Sequence, residues 1–344
     1  MGPRRPLSRR SALLAHCLLG FCLVPSLILT SAREASAQEL LDQISTLGNE
    51  NAAKYALPLT EGLIRAMAGG YVDRSRPLDA LRFDLGIRFL GTRFGEEARS
   101  FNAVLPDTVT FAGQVFGDPY APAGGSLLTP TIAGKGEGLV LDPQGEYRAA
   151  LLARGLEPED FRLVFPSGLD LPLSPNLAVQ LTVGIGFGTE VALRFLPAVE
   201  LLPEVGEFRS HGLSLHHHLS KWIPVPGLDL TGMVGFQEAT GGEDIDIRAV
   251  HWGATAGTRL GPLDLFGGAQ VRSGSARVEY RIENPGNLPL LPPDGTSLNF
   301  RTRVSAEPSY LLGVRLQLLV LNLAGHYAFG EQDGFSIKLG MGLP

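Results

Sequence analysis

The chain has 344 residues, with Lys+Arg 29 against Asp+Glu 35, a formal net charge of −6, 43 glycines and two cysteines. That acidic balance excludes a polyanion-binding surface, nucleic acid included. Both cysteines, Cys17 and Cys22, stand within residues 1–37, so the remainder offers neither disulfides nor thiolate metal sites.

Residues 1–37 read as a cleaved secretory signal. Arg4, Arg5, Arg9 and Arg10 precede an apolar run from Ala12 to Leu29, and Ala35-Ser36-Ala37 closes it with the small-x-small pattern of a cleavage site. The run is short for a retained anchor and is broken by His16 and Pro25. His16 and Phe21 precede the cysteines, where a lipoprotein signal uses a small residue. Cleavage removes Arg33 and Glu34 with the leading arginines, leaving a more acidic chain. No later segment holds an apolar run of about 18 residues, so no helical membrane span is expected. An exported, glycine-rich, cysteine-free chain of this kind is either a periplasmic β protein or an outer-membrane barrel.

Residues 38–76 carry helical spacing: Leu40, Leu41, Ile44 and Leu47, then Leu59, Leu63 and Met67. Pro58 is expected to separate two short helices, and Gly69-Gly70 to end the second. The segment is either a plug in a barrel mouth or a periplasmic extension against its rim; nothing local separates the two.

From residue 77 to 344 the period changes to two. In residues 81–92, Leu81, Phe83, Leu85, Ile87 and Phe89 alternate with Arg82, Asp84, Gly86 and Arg88. Leu177, Val179, Leu181, Val183, Ile185 and Phe187 repeat the pattern, and the chain returns through Val191, Leu193 and Phe195 against Glu190 and Arg194. Leu298, Phe300 and Val304 oppose Arg301 and Arg303; Leu312, Val314, Leu316, Leu318 and Val320 oppose Arg315. Phe335, Ile337, Leu339 and Met341 alternate with Ser336 and Lys338 near the end. Several runs reach the 9–11 residues that a tilted membrane strand needs, where soluble strands average about 5–6. Only a closed barrel satisfies the backbone of such strands in hydrocarbon. The fold class expected is all-β: a transmembrane antiparallel β-barrel of about twelve strands, range 10–14, with a short N-terminal helical plug segment. A soluble sandwich is the alternative.

Residues 117–175 interrupt the rhythm. The stretch is dense in glycine and proline, with one or two helical turns expected around Gln144 to Arg154. A second proline-rich excursion runs from Glu283 to Ser297. Long connections of this kind belong on the extracellular side of a barrel and carry function more often than not.

The candidate lumen residues are Arg82, Asp84, Arg88, Glu190, Arg194, His216, His218, Arg301, Arg303 and Arg315. Arginine–carboxylate pairing inside a narrow barrel equally serves to satisfy the interior. In "GLSLHHHLSKWIP", Leu213, Leu215, His217 and Leu219 share one face, and Ser214, His216, His218 and Ser220 the other. Two imidazoles on one strand do not make a metal site without further ligands. No HExxH, cysteine pair or calcium-loop spacing appears, and neither metal nor other cofactor is expected. His218 with Ser220 is the one hydrolase-like pairing; no GxSxG accompanies it, and an enzyme is not expected.

The stretches "ALPLTEGLIRAMAGGY", "LRFDLGIRFLG", "FGDP", "NLAVQLTVGIGFGTEVALRFLP" and "GLSLHHHLSKWIPVPGLDLTGMVGFQ" resemble, in that order, an uncharacterised outer-membrane barrel family of Gram-negative bacteria that carries a domain of unknown function. Helices ahead of a barrel are similar in architecture to FadL-type outer-membrane fatty-acid transporters. This second resemblance implies passage of a small hydrophobic solute. Barrels of this compartment commonly end in an aromatic residue; Met341-Gly342-Leu343-Pro344 departs from that pattern. The expected role is passive uptake or diffusion of a small solute. A non-transporting structural or surface-interaction barrel is the alternative, and a barrel hydrolase the remote one. Outer-membrane lipid, lipopolysaccharide and the barrel assembly machinery are the implied partners.

Overall fold

The computed structural model describes residues 48–202, 206–242, 245–281 and 297–342. The signal expected over 1–37, the first expected helix at residues 40–47 and nearly all of the second excursion lie outside the described residues. Helix α1 (Gly48–Ala68) is followed by β1 (Phe83–Arg93). An excursion then carries β2 (Ser100–Asn102), β3 (Thr108–Phe111), β4 (Gln114–Gly117), β5 (Tyr120–Pro122), β6 (Leu128–Pro130), β7 (Val140–Pro143), α2 (Gly145–Leu152) and β8 (Leu163–Val164). The long strands follow: β9 (Leu173–Gly186), β10 (Thr189–Leu202), β11 (Gly206–His218), β12 (Asp229–Gly241), β13 (Ile245–Leu260), β14 (Leu263–Arg281), β15 (Ser297–Leu318), β16 (Leu321–Phe329) and β17 (Gly334–Gly342).

Strands β1 and β9 to β17 close into an antiparallel barrel, with β1 paired to both β9 and β17. The wall has ten strands rather than about twelve. The excursion strands pair only among themselves, so the Gly/Pro-rich stretch gives the wall only its last residues, Leu173 to Pro175, where β9 begins. The segments around Phe300 and Val314 that read as two separate strands are one strand, β15.

Joining those two segments changes the alternation phase. The β14–β15 register shifts between the Arg272–Glu307 and Gly274–Val304 pairs, a bulge in which Ser305 and Ala306 oppose one residue. Before it, Thr302 and Val304 face inward; after it, Ser309, Leu311 and Arg315 do. One extra residue exchanges the two faces of a strand. Arg301 and Arg303, expected in the lumen, are therefore exposed on the outside. Phe300 and Val304, expected on the outer face, pack inward in clusters with α1.

Helix α1 contacts β1, β9, β12, β13, β14 and β15, so it lies within the ring of strands. Pro58, expected to separate two helices, sits inside this one. A proline interrupts the helical hydrogen bonding, but packing on several sides holds α1 together across the defect. The wall makes room with small residues: Ala239, Ala249 and Ala276 meet Ile64 and Met67, and a Cβ at Gly274 would collide with Ile64.

Short turns at residues 186–189, 260–263 and 318–321 mark one end of the barrel, where β1 begins and β17 finishes. The excursion stands at the other end with its own core of Phe116, Tyr120, Leu141, Tyr147, Leu151 and Phe165. Burial pushes the Tyr120 and Tyr147 phenols up. The N-terminal end of α1 belongs to this loop end: Asn51 exchanges hydrogen bonds with the Val104 backbone at 2.8 and 2.9 Å, and Tyr55 donates to Ser167 O at 2.9 Å.

The outer surface carries an apolar belt that includes Leu85, Leu193, Leu213, Val250, Leu265, Leu312 and Leu339. On the loop side, His211, Glu238 and Arg248 form a polar row across β11, β12 and β13, with Glu238 3.6 Å from His211 and 3.4 Å from Arg248. From Val250 to Leu260, tilted β13 rises about 25 Å, the height of the apolar band on an outer-membrane barrel. Among the described residues no helix is long and apolar enough to cross a membrane. Leu312→Arg, placed on this belt, is expected to destabilise the barrel by about 2–4 kcal/mol in bilayers. Arg303→Ala should change little, and denaturant titration in lipid vesicles measures both.

Candidate functional site

The interior is built from two sources: the inward positions of the strands, and residues 48–80, which pass down through them. Gly70, at φ 74, turns the chain out of α1. Arg194 of β10 caps the helix end, its Nη1 donating to Gly69 O at 2.9 Å and Met67 O at 3.4 Å. Its guanidinium also lies 3.7 Å from the Tyr71 ring centroid. Tyr71 in turn stacks on His251 of β13 at 4.5 Å.

Below Tyr71 the chain meets a buried charge cluster. Asp73 accepts from Arg88 Nη2 at 3.0 Å, Lys338 Nζ at 2.5 Å, Arg74 Nε at 2.9 Å and Arg315 Nη1 at 3.4 Å. Asp84 binds Arg315 Nη2 at 2.6 Å, Arg74 Nη2 at 3.0 Å and Lys338. All six groups are 5 % exposed or less. Arg88, Arg315 and Lys338 come from β1, β15 and β17, so one carboxylate of the threading segment gathers three wall strands. Farther along, Ser75 N donates to Asp264 at 3.0 Å, and Leu81 N to Gly184 O at 2.9 Å. A Cβ at Gly184 would strike Asp79 O, so only glycine admits this close approach.

A second network joins β10, β11 and β13. His216 Nδ1 lies 2.8 Å from Glu190 Oε1, and Ser214 Oγ lies 2.9 Å from His216 Nε2 and 3.0 Å from His251 Nε2. Leu78 N donates to the other Glu190 oxygen at 2.8 Å. The order serine, histidine, carboxylate is that of a hydrolase triad. Here Ser214 is 0 % exposed and its oxygen also bonds Val234 O at 3.2 Å, so no substrate carbonyl reaches it in this conformation. The relay holds strands and threading segment together.

Of the ten candidates, Asp84, Arg88, Glu190, Arg194, His216, His218 and Arg315 are buried in the interior. Asp84, Arg88 and Arg315 share the Asp73 cluster, and Glu190 joins it through Arg74 at 3.9 Å. His218 stands apart, paired with Asp229 at 3.0 Å. Ser220 lies past the end of β11 and accepts from Leu230 N at 2.7 Å, so it does not meet His218. Arg82 is exposed, because the chain turns at Leu81, φ 63, before β1 begins. Arg301 and Arg303 are outside because of the bulge in β15. His217 faces outward, accepting from Trp222 Nε1 at 3.3 Å. The site residues absent from the ten candidates are Asp73, Arg74 and Lys338. Asp73-Arg74 stands out in the sequence only as a charged pair just beyond a helix-ending Gly-Gly, and Lys338 as a cation between Ile337 and Leu339.

The sequence pattern of a family of unknown function, DUF6588, matches residues 12–343. No curated protein matches the chain. Among solved structures, the chain is similar to OpdO of Pseudomonas aeruginosa, with 13% identity over 78% of this chain and 98% of that one, at a TM-score of 0.20. A loop-deletion mutant of OmpT, an outer membrane protein of Vibrio cholerae, gives 11% identity over 77% and 100%, at a TM-score of 0.18. A BenF-like porin from Pseudomonas fluorescens Pf-5 gives 11% over 78% and 99%, at 0.15. The likeness to FadL-type transporters is not shown by these matches. Scores this low leave the barrel to be read from its own geometry.

Removing one member of a buried ion cluster leaves its partners uncompensated. Asp73→Asn is therefore expected to destabilise the protein by about 3–5 kcal/mol, measured by thermal unfolding in detergent micelles. An unchanged midpoint would show that the cluster contributes nothing.

Proposed function

The chain belongs to the DUF6588 family, and we propose that it is an outer-membrane β-barrel whose lumen is occupied by its own N-terminal segment and passes a small solute when that segment moves. The observation that carries the reading is the contrast between an apolar belt outside and a charged, hydrogen-bonded interior threaded by residues 48–80. Phe89, Phe236, Trp252, Tyr310, Tyr327 and Phe335 stand toward the loop side of the belt, as interfacial aromatics do. Inward Arg88, Gln180, Glu190, Arg194 and Arg315 support a small polar solute, in place of the hydrophobic one that the FadL-type resemblance implies. Passage needs no nucleotide or redox chemistry: the threading segment leaves its hydrogen bonds, and water and solute replace it.

A sealed, non-transporting barrel is the second reading, favoured by the saturation of Asp73. Conductance of the purified protein in planar bilayers separates the two. The channel reading expects rare openings in the wild type and more frequent ones in Asp73→Asn; silence from both, in protein shown to be inserted, leaves the sealed barrel.

Orientation follows from the loops. Short turns face the periplasm and long loops the exterior, so Gly48, beside the excursion, lies on the cell surface. Glu50→Cys, in a chain whose own cysteines fall in the signal, is expected to react with an impermeant maleimide on intact cells. Lys221→Cys, at the turn end, should react only after the outer membrane is permeabilised. The reverse pattern would invert the assignment.

A further inference from the structure

Arg272 of β14 points into the barrel and is 2 % exposed, yet its Nε and Nη2 have no hydrogen-bond partner. Among the described residues it takes part in no ion pair. Its neighbour across the β14–β15 ladder is Glu307, and opposed residues on one face stand about 5 Å apart at Cβ. Glu307 would therefore be its natural partner. Instead both Glu307 oxygens are held by α1: Arg65 Nε donates to Oε2 at 3.1 Å and Nη2 to Oε1 at 3.0 Å. The other carboxylates nearby are engaged elsewhere. Glu61 accepts from Arg65 Nη1 at 2.9 Å, Glu331 is exposed and lies 3.9 Å from Arg65, and Asp333 accepts from the Tyr327 hydroxyl at 2.8 Å.

A buried guanidinium without a partner raises the energy of the state that contains it. We infer that Glu307 is an exchangeable partner: it binds Arg65 while α1 fills the barrel and turns to Arg272 when α1 withdraws. The exchange replaces the ion pair lost on withdrawal and relieves the unpaired arginine at the same moment. The wall thus carries, directly across the ladder, the cation that takes up Glu307 once α1 has left. The exchange regulates opening of the barrel and rests on the reading of α1 as a removable occupant.

The test is the reactivity of a buried thiol. Met67 on α1 is 1 % exposed, so Met67→Cys in the mature protein reacts with a soluble maleimide only when α1 moves; where reclosing is fast, the rate follows the open fraction. Arg272→Met, which removes the unpaired charge from the filled state and the waiting partner from the vacated one, is expected to slow labelling roughly ten-fold. Arg272→Lys should restore the wild-type rate. In a Glu307→Gln background Arg272 has no carboxylate across the ladder to gain, so Arg272→Met should there slow labelling distinctly less. Arg272→Gln repeats the measurement if the methionine variant does not assemble. An unaltered or faster rate in Arg272→Met, an equal slowing in the Glu307→Gln background, or no labelling in any variant overturns the exchange. Silent bilayers together with the expected labelling pattern would remove the transport reading and leave the exchange standing.

Discussion

A charge inside a narrow barrel is held at least cost beside a counter-charge, because an apolar belt outside and packed side chains within exclude the solvent that would otherwise screen it. In this protein the wall alone does not meet that condition at the turn end. Arg88, Arg315 and Lys338 converge from three strands, and Asp84 is the wall carboxylate that touches two of them. Asp73 completes the set from the threading segment. Barrel and thread are for this reason one folding unit, in which the last strand is tied to a residue 265 positions earlier.

The rest of the interior follows from where that thread runs. At the level of α1 the wall sets alanines and a glycine against Ile64 and Met67 and Glu307 against Arg65, so the helix is held by packing and by one wall carboxylate. Past Gly70 the backbone no longer satisfies itself, and the wall becomes polar: Arg194 takes the last helical carbonyls, and Glu190 takes the Leu78 amide. The change in wall chemistry along the axis mirrors the change from helix to extended chain inside it. The Ser214–His216–Glu190 relay belongs to this polar level, which explains why hydrolase-like geometry occurs at a position without access.

Much of the wall is legible in the alternation of residue types. Leu177 to Phe187, Leu213 to His217 and Phe335 to Met341 face as that alternation requires, and Asp84, Arg88, Glu190, Arg194 and Arg315 point inward. Arg301 and Arg303 obey the same local rule and still point outward, because the bulge at Ser305–Ala306 reverses the phase and leaves no mark in composition. The two phases of β15 read as two strands, which accounts for one of the two by which about twelve exceeds the ten observed. Asp73 and Lys338 escape notice because the distant charges that meet them come together only when the barrel closes.

The period of two, the signal-like leader and the helical spacing ahead of the strands are properties of neighbouring residues. Covalent geometry alone sends successive side chains to opposite faces, so the chain by itself specifies a β wall with a greasy side and a wet one. How many strands close the ring, which way the two arginines beside the bulge turn, and what fills the centre depend on pairings between residues far apart in the chain. Those are settled only in three dimensions, where buried charge has to be neutralised by whatever the closed ring brings within reach.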